Sequence, residues 1–362
     1  MVTVFFDCES LGNYKAQLAL RGVLSALSKR RYEHILLHDL SLVEPAEQEG
    51  QPIIVFSHSE SRSICILRDL TEKRYRPVFI VNRVGGFEHA VSCVSIDYRS
   101  ACYRLTCRVL EGEGKPVAFL GFNSDSIPDK QRLEGFEAAV KQYGAESRIF
   151  SNFGNVCSCL EEYWENRYIY KNVVCVNDIH AVALVNRLRE NGEDCGEYRV
   201  CGFGNTMLSR YCVPRITTVE PNYELAGRCA VEVYAVLEKN RHVRAVTFVV
   251  DSEIYEGESF PCEGGDTAFL RGPDFIPTYR DFYNDSLVME LDGLDRMLSL
   301  CDETDLGILR GLLAGETYEE ICGRHFIAVN TLKYRIKKLM AAARVSDRAE
   351  LTERIRKHKL SI

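Results

Sequence analysis

The feature that most constrains the fold is a regular alternation, over residues 1–250, of short β-branched or aromatic runs with longer amphipathic segments. The predicted strands are 2–6, 52–57, 77–81, 93–96, 116–122, 172–177, 198–203 and 244–250. Helical spacing lies between most of them, at 14–29, 98–110, 130–143, 180–191 and 223–238. Strands that alternate with helices form βαβ units and parallel sheets, so the sequence predicts an α/β fold. Because about 250 residues exceed one small doubly wound domain, we expect two parallel-sheet half-domains.

Cysteine usage and motif searches narrow the class of protein. The fifteen cysteines include no C-x-x-C pair, and the closest two, Cys157 and Cys159, have no partners in sequence. We therefore expect reduced thiols and a cytoplasmic protein. The N-terminus predicts a strand rather than a secretion signal, and no apolar run approaches the ~18 residues of a membrane span. The sequence also lacks G-x-S-x-G, H-E-x-x-H and G-x-x-x-x-G-K-[ST], so we expect no enzyme, metal or cofactor.

Polar side chains follow the predicted strands at the points where they end. The carboxyl ends of parallel strands meet at one edge of a sheet, and open α/β sheets bind ligands there. Such positions are occupied by Asp7, Ser57, Asn123, Asn177 and Asn205. Strand ends are also polar simply because loops contact water. Hydrogen-bonding groups from several strands nevertheless favour a site for a small polar ligand.

Several ordered motifs in this region carry a family resemblance. They are 77–83 (PVFIVNR), 94–98 (VSIDY), 131–136 (QRLEGF), 177–181 (NDIHA), 202–203 (GF) and 214–219 (PRITTV). In this order they resemble the effector-binding domain of the LacI/GalR family, which has the periplasmic-binding-protein fold. The resemblance covers residues 1–255 and implies two half-domains crossed three times by the chain. It also implies that Arg132 and Asn177 contact the ligand, that Phe153 stacks on it, and that the ligand is sugar-like or nucleoside-like.

The chain departs from that family in two respects. Many members carry an aspartate directly after Gly-Phe, where this chain has Gly204 followed by Asn205, so the usual sugar pose is not implied. The family normally places a helix-turn-helix before this domain, so we expect the C-terminus to supply any DNA contact. For Arg132, a guanidinium suits a ligand carboxylate or paired hydroxyls. The alternative is a salt bridge with Asp129 or Glu134 on its own helix.

The pattern changes after residue 255. Residues 256–286 are rich in Gly, Pro and Asp and predict a linker, and a helical period then defines a C-terminal domain at 287–362. Residues 321–362 carry 11 Lys/Arg and 3 Asp/Glu, a net charge of +8, whereas residues 1–320 carry −15. This asymmetry indicates a basic nucleic-acid-facing module on an acidic body. A solvated pair of charged helices is the alternative.

Four short helices can be bounded in the C-terminal segment. The first carries an apolar stripe at Ile308, Leu309, Leu312 and Leu313 and ends at Gly315. The second begins with the capping-box pattern Thr317-x-x-Glu320, and the last begins with Asp347-x-x-Glu350. The third has a predicted buried face formed by Val329, Leu332, Ile336 and Leu339.

The other faces of the third helix are polar and basic. A short helix, a tight turn and a basic amphipathic helix are typical of a helix-turn-helix, in which Lys and Arg neutralise phosphates while Asn, Thr and Arg read base edges. A helical bundle that caps or dimerises the body is the alternative. The predicted DNA contacts are Asn330, Thr331, Lys333, Tyr334, Arg335, Lys337 and Lys338.

The spacing of 320–322 (EIC), Ile327, 331–335 (TLKYR) and 345–351 (VSDRAEL) resembles the LuxR-type helix-turn-helix, over about residues 303–358. This resemblance implies a four-helix module whose third helix enters the major groove, with Thr331 and Lys333 contacting DNA. Three positions depart from the family. Arg335 stands where a histidine is common, 343–344 (AR) replaces Leu-Gly, and Ala328 replaces the serine that caps the third helix, so a weaker helix start is expected.

Together these features predict a cytoplasmic, ligand-responsive transcription regulator with an α/β body and a small all-α DNA-binding domain. Its expected partners are double-stranded DNA and a small polar effector, with no membrane. Most helix-turn-helix proteins bind spaced half-sites as dimers, so a homodimer is expected.

One alternative is a phosphorylation- or partner-controlled regulator whose body only dimerises, although a receiver domain needs an aspartate where Ser57 stands. Another is a solute-binding protein of a transport system, which the basic C-terminal helix disfavours.

Overall fold

The computed structural model describes residues 1–7, 14–57, 60–81, 90–111, 116–124, 126–152, 155–260, 286–360 and 362. The chain forms two compact units. One comprises Met1–Asp97 and Pro221–Glu253, and the other comprises Tyr98–Glu220 and Ile254–Ile362. The chain therefore passes between the units three times, as the sequence motifs imply.

Strands and helices alternate through most of the described chain. The strands are β1 (Val2–Phe6), β2 (His34–Leu37), β3 (Gln51–Phe56), β4 (Tyr75–Val81), β5 (Ser92–Ile96), β6 (Val117–Phe122), β7 (Ser147–Ser151), β8 (Asn172–Cys175), β9 (Arg199–Phe203), β10 (Thr217–Glu220), β11 (Thr247–Val250) and β12 (Glu253–Tyr255). The helices are α1 (Tyr14–Lys29), α2 (Glu60–Glu72), α3 (Tyr98–Leu110), α4 (Ile127–Tyr143), α5 (Val156–Asn166), α6 (Asp178–Glu190), α7 (Met207–Tyr211), α8 (Tyr223–Lys239), α9 (Ser286–Ser299), α10 (Glu303–Ala314), α11 (Tyr318–His325), α12 (Val329–Ala343) and α13 (Arg348–Lys357).

The first unit is built on a six-stranded sheet in the order β11-β5-β4-β3-β1-β2. All five strand pairs are parallel. The interior strand β1 is buried at every position, and five of the six residues of β3 are buried. Such continuous burial requires helices on both faces of a parallel sheet, which explains why these strands consist almost wholly of apolar residues.

The second unit contains a six-stranded sheet in the order β12-β10-β9-β8-β6-β7. The pairs that join β7, β6, β8, β9 and β10 are parallel. Successive residues of β6 enter two different cores. Val117 and Phe119 pack with α3 and α4, whereas Ala118 and Leu120 pack with α5 and α6. The sheet is therefore covered on both faces, and the expected arrangement of two doubly wound parallel sheets is confirmed.

The C-terminal helices continue the core of the second unit. Leu291 and Leu294 of α9 lie in one buried cluster with Leu120 of the sheet and with Leu339 of α12 and Leu351 of α13. The sequence predicts these helices as a separate domain, whereas in the structure they belong to the second compact unit. Of the predicted linker at 256–286, residues 261–285 lie outside the described residues.

Candidate functional site

In the first unit, Asp7 and Ser57 lie where β1 and β3 end, as the sequence predicts. Both are buried, with Asp7 fully so. Arg62 of α2 places its Nη2 atom 3.0 Å from Oδ1 of Asp7, and its Nε lies 3.3 Å from both carboxylate oxygens. The carboxylate at this edge is thus neutralised by a half-buried guanidinium. Sequence reasoning missed Arg62, because nothing in its spacing indicates which strand end α2 would face.

In the second unit, Arg132 of α4 is a buried cation at the sheet edge. Only 5% of the residue is exposed, and its Nη1 lies 2.7 Å from Oδ1 of Asp129. The guanidinium carbon lies 4.5 Å from the ring centroid of Tyr98 and 5.0 Å from that of Phe203. A cation over aromatic faces gains electrostatic stabilisation, and the rings and Asp129 together fix its orientation. The salt bridge with Asp129, the alternative weighed from the sequence, is present.

The rest of the 131–136 motif has a packing role. Phe136 is fully buried. A Cβ atom at Gly135 would lie 2.1 Å from the carbonyl oxygen of Arg99, so only glycine permits α3 and α4 to approach this closely. Glu134 lies 3.8 Å from Arg99 of α3. Within this motif, Arg132 is the charged group that lies against the aromatic rings of Tyr98 and Phe203.

Asn177 ends the segment after β8 and caps α6. Its Oδ1 accepts the backbone N–H of His180 at 3.1 Å and lies 3.0 Å from Nδ1 of the His180 ring. Asn177 is half-buried, whereas His180 is fully buried. The oxygen of Asn177 thus holds the helix start, a role that the implied ligand contact did not anticipate.

Asn205, predicted from the sequence as a ligand contact, makes hydrogen bonds within its own loop. It is 4% exposed and adopts a left-handed conformation with φ of 46°. Its Nδ2 donates to Glu220 at 2.8 Å, and its Oδ1 accepts from Nε of Arg210 at 3.0 Å. Because both ends of the amide are bonded within the chain, Asn205 shapes the turn after β9 rather than presenting a free amide.

Asp178, which sequence reasoning did not select, organises the same edge. Its carboxylate accepts the backbone N–H of Thr206 at 2.8 Å and the hydroxyls of Thr206 and Thr218 at 3.0 and 2.5 Å. Burial raises the pKa of Asp178, and these hydrogen bonds oppose the shift. The carboxylate therefore ties β10 and the turn before α7 to the start of α6.

The predicted stacking residue Phe153 lies outside the described residues. Among the described residues, no group of three or more His, Cys, Asp or Glu side chains could hold a metal ion. No helix in the described part of the chain is long and apolar enough to cross a membrane.

The C-terminal helices have the caps that the sequence predicts. Thr317 and Glu320 form the expected capping box at the start of α11. α11 ends at Phe326, whose backbone is left-handed, so the chain turns sharply into α12. Ala328 provides no side-chain hydrogen bond to the start of α12, as its replacement of serine predicts. A short helix, a tight turn and a longer helix therefore follow one another as in a helix-turn-helix.

One face of α12 is buried and the rest presents polar and basic groups. Leu332, Ile336 and Leu339 are 0–4% exposed, whereas Val329, predicted to join them, is 39% exposed. Val329 is the first helical residue, and a helical period cannot indicate how far neighbouring helices cover the first turn. The exposed polar residues are Asn330, Thr331, Lys333, Tyr334, Lys337 and Lys338. This surface combines phosphate-neutralising cations with side chains able to contact base edges.

Arg335, predicted from the sequence as a DNA contact, forms ion pairs within the chain. Its Nη1 lies 2.8 Å from Oδ2 of Asp302 and 2.8 Å from Oδ1 of Asp305. These two carboxylates form the capping box of α10, and they raise the pKa of Arg335. The guanidinium therefore joins α12 to the start of α10.

Comparison with protein families supports the fold assigned to the α/β body. Residues 114–260 match the family model described as periplasmic binding protein-like domain. The curated relatives include the HTH-type transcriptional regulator GalR of Escherichia coli (strain K12), 27% identical over 186 residues, covering 49% of this chain and 53% of GalR. They also include RegA of Clostridium saccharobutylicum, 26% identical over 175 residues, covering 46% and 52% of the two chains. The chain spans about half the length of these curated relatives.

Solved structures show the same fold. A transcriptional regulator CelR–cellobiose complex superposes with a TM-score of 0.60 at 18% identity, covering 71% of this chain and 84% of that chain. The transcription regulator CcpA of Lactococcus lactis superposes with a TM-score of 0.58 at 19% identity, covering 72% and 99%. A LacI family regulator from Enterococcus faecium with bound ribose gives 0.57 at 17% identity, covering 72% and 100%. The α/β body therefore has a periplasmic-binding-protein-like fold, shared with LacI-family transcription regulators.

Proposed function

We propose that this protein is a ligand-responsive, DNA-binding transcription regulator. The observation that carries the proposal is the exposed face of α12, which presents Lys333, Lys337 and Lys338 together with Asn330 and Thr331. This helix follows a short capped helix and a tight turn, and it lies in a segment of net charge +8 on an otherwise acidic chain. Cations on such a face neutralise phosphates, and residues near the helix start reach base edges in the major groove.

We further infer that residues 303–358 form a LuxR-type helix-turn-helix with α12 as the recognition helix. The spacing of the sequence motifs and the four helices α10 to α13 support this assignment. Lys333 and Thr331 are both exposed at the positions that this module uses for DNA. The proposed dimer follows from the usual pairing of such modules on spaced half-sites.

The effector proposed for the α/β body is a small polar molecule of the sugar or nucleoside class. Arg132 with Tyr98 and Phe203 offers a guanidinium beside aromatic faces in the second unit, and Asp7 with Arg62 offers a charged pair in the first. Polyhydroxylated ligands need such groups of fixed geometry. The solved structures of similar fold with cellobiose or ribose bound support this class of ligand.

The test of DNA binding starts from a duplex selected out of a random library with the wild-type protein. Lys333→Ala should weaken binding about tenfold and lower the slope of log Kd against log salt by about 0.9, because one phosphate contact is lost. The matched control is Lys239→Ala, which removes the same charge from an exposed position on α8. Equal affinities of all three proteins would contradict the assignment of α12, and failure to select any duplex would contradict DNA binding itself.

A further inference from the structure

The short helix α7 lies between the carboxyl edge of the second sheet and the C-terminal helices. Thr206 caps its start, and the Thr206 N–H is held by Asp178 at 2.8 Å. Asp295 of α9 accepts the N–H of Leu208 at 3.1 Å. The first N–H groups of a helix have no partners within the helix, so external acceptors must satisfy them. Two buried carboxylates from different elements therefore hold the same helical turn.

The position of Asp295 is not explained by packing. Its neighbours along the buried side of α9, Leu291, Leu294 and Leu298, are at most 1% exposed, and Asp295 itself is only 7% exposed. A carboxylate buried among leucines costs stability unless hydrogen bonds compensate it. Burial raises the pKa of Asp295 to about 7, and the charge of Asp178 adds to the shift. Packing alone would favour an apolar side chain at position 295. The hydrogen bond to the backbone of Leu208 therefore gives the carboxylate of Asp295 a specific structural role.

On another side, α9 packs directly against α12 at Gly293. A Cβ atom at Gly293 would lie 2.6 Å from the carbonyl oxygen of Ala343, in the last turn of α12. Ala343 is fully buried, and it belongs with Leu291 and Leu294 to the core cluster that includes the sheet. A close-packed contact of this kind transmits displacement, because neither helix can move without moving the other.

The C-terminal end of α13 also contacts α9, through His358 and Glu290. Nε2 of His358 lies 3.0 Å from Oε1 of Glu290 on α9, and Nδ1 lies 3.3 Å from Nδ2 of Asn186 on α6. His358, with Lys357, lowers the pKa of Glu290 to about 2. The helix-turn-helix segment is therefore attached to α9 at two places, the end of α12 and the end of α13.

We propose that Asp295 is a positioning residue through which the carboxyl edge of the second sheet controls the placement of α12. In this arrangement Asp178 relates the ends of β8 and β10 to the start of α7, Asp295 relates α7 to α9, and α9 carries α12. The inference rests on the proposed function, since it names how the DNA-binding helix is regulated. It requires no flexible tether, because each step is a hydrogen bond or a close-packed contact within the second unit.

The test is a double-mutant cycle between Thr206 and Asp295. Thr206→Val removes the hydroxyl that caps α7 and bonds Asp178 while keeping the side-chain shape. Asp295→Leu removes the acceptor, and Asp295→Asn keeps an oxygen that can accept the Leu208 N–H. Each single and double variant is measured for affinity to the selected duplex and for amide hydrogen exchange in α7, α9 and α12. Glu161→Gln, at an exposed position on α5, serves as the charge-matched control.

We expect Thr206→Val to change DNA affinity at least fivefold in the wild-type and Asp295→Asn backgrounds and less than twofold in the Asp295→Leu background. Exchange in α9 and α12 should follow the same pattern, whereas Glu161→Gln should combine additively with Thr206→Val. Effects of Thr206→Val that are equal in all three backgrounds would overturn the proposal. If Asp295→Leu does not fold, Asp295→Asn and Thr206→Val still decide it, because unchanged exchange in α9 and α12 on Thr206→Val contradicts the coupling. A wild type that binds no duplex would overturn the proposed function, while the exchange experiment would still test the contact.

Discussion

Asp178 and Asp295 hold backbone N–H groups only two residues apart, that of Thr206 and that of Leu208, at the start of α7. Asp178 belongs to the first turn of α6 beside the sheet, and Asp295 belongs to α9, which packs against α12. Their proximity has an electrostatic consequence, because burial and mutual repulsion raise the pKa of Asp295. The contact of Asp295 with the start of α7 can therefore be followed in two ways, through the hydrogen bond to Leu208 and through the raised pKa of Asp295.

The first prediction is a loss of stability as pH rises. The pKa of Asp295 is about 7 in the folded protein and about 3.9 in an unfolded chain. Between these values the folded protein binds more protons than the unfolded chain, so the free energy of unfolding falls as pH increases. Asp295→Asn removes this dependence and should be more stable than the wild type at pH 8, by at most about 4 kcal/mol.

Urea unfolding of the wild type and Asp295→Asn at pH 5, 6, 7 and 8 would measure this effect. The difference between the two proteins should shrink towards pH 5, where Asp295 is protonated in the folded state. Asp178, whose pKa burial also raises, should leave a residual slope of the same sign in the variant. A difference that is constant across this pH range would show that Asp295 does not titrate there.

The second prediction concerns the crossing of α9 and α12. Gly293→Ala would place a Cβ atom 2.6 Å from the carbonyl oxygen of Ala343, so the helices must separate. We expect a net loss of about 1–3 kcal/mol, the usual effect of overpacking, despite the better helix propensity of alanine. Gly323→Ala is the matched control, because its Cβ on α11 would meet nothing within 4 Å and should stabilise by up to about 1 kcal/mol. Thermal unfolding that ranks Gly293→Ala above Gly323→Ala would contradict this packing.

The main elements of the body could be predicted because burial imposes a pattern on their sequences. The predicted helices 14–29 and 98–110 coincide with α1 and α3, whose apolar positions recur with the helical period. The strands β2 and β7 were missed because they lie at sheet edges, where exposed positions dilute the apolar run. Edge strands need only one partner and one covered face, so composition marks them weakly.

At the candidate site, the sequence could predict only contacts between residues that lie close together in the chain. Arg132 and Asp129 lie three residues apart on one helix, and their salt bridge was foreseen as an alternative. The pairing of Asp7 with Arg62 and the bond between Asp295 and Leu208 depend on how distant elements pack. No local period or motif carries that information, so these contacts emerge only from the three-dimensional structure.

The third prediction separates Arg335 from the other basic residues of α12. Arg335→Ala removes both ion pairs to the cap of α10 and should destabilise the protein by about 1–3 kcal/mol, as expected for hydrogen bonds to charged groups. Because Asp302 and Asp305 already pair with this guanidinium, we expect the salt slope of DNA binding to stay unchanged. Lys337→Ala should do the reverse, with a lower salt slope and unchanged stability. A lower salt slope in Arg335→Ala would show that Arg335 contacts a DNA phosphate and would contradict this prediction.

The fourth prediction concerns the role of Arg132 in ligand binding. Ribose, cellobiose and a nucleoside serve as probes in thermal unfolding of the wild type and of Arg132→Lys. A ligand at 100 times its Kd stabilises a protein by about 2.7 kcal/mol, which raises Tm by several degrees for a domain of this size. Lysine keeps the charge but loses the planar fork and the stacking over Tyr98 and Phe203, so the shift should disappear in the variant. Arg148→Lys, a surface position on β7, is the control and should respond like the wild type. A probe that shifts Tm equally in all three proteins binds elsewhere, and Arg132 would then serve only to hold Asp129 and the two rings in place.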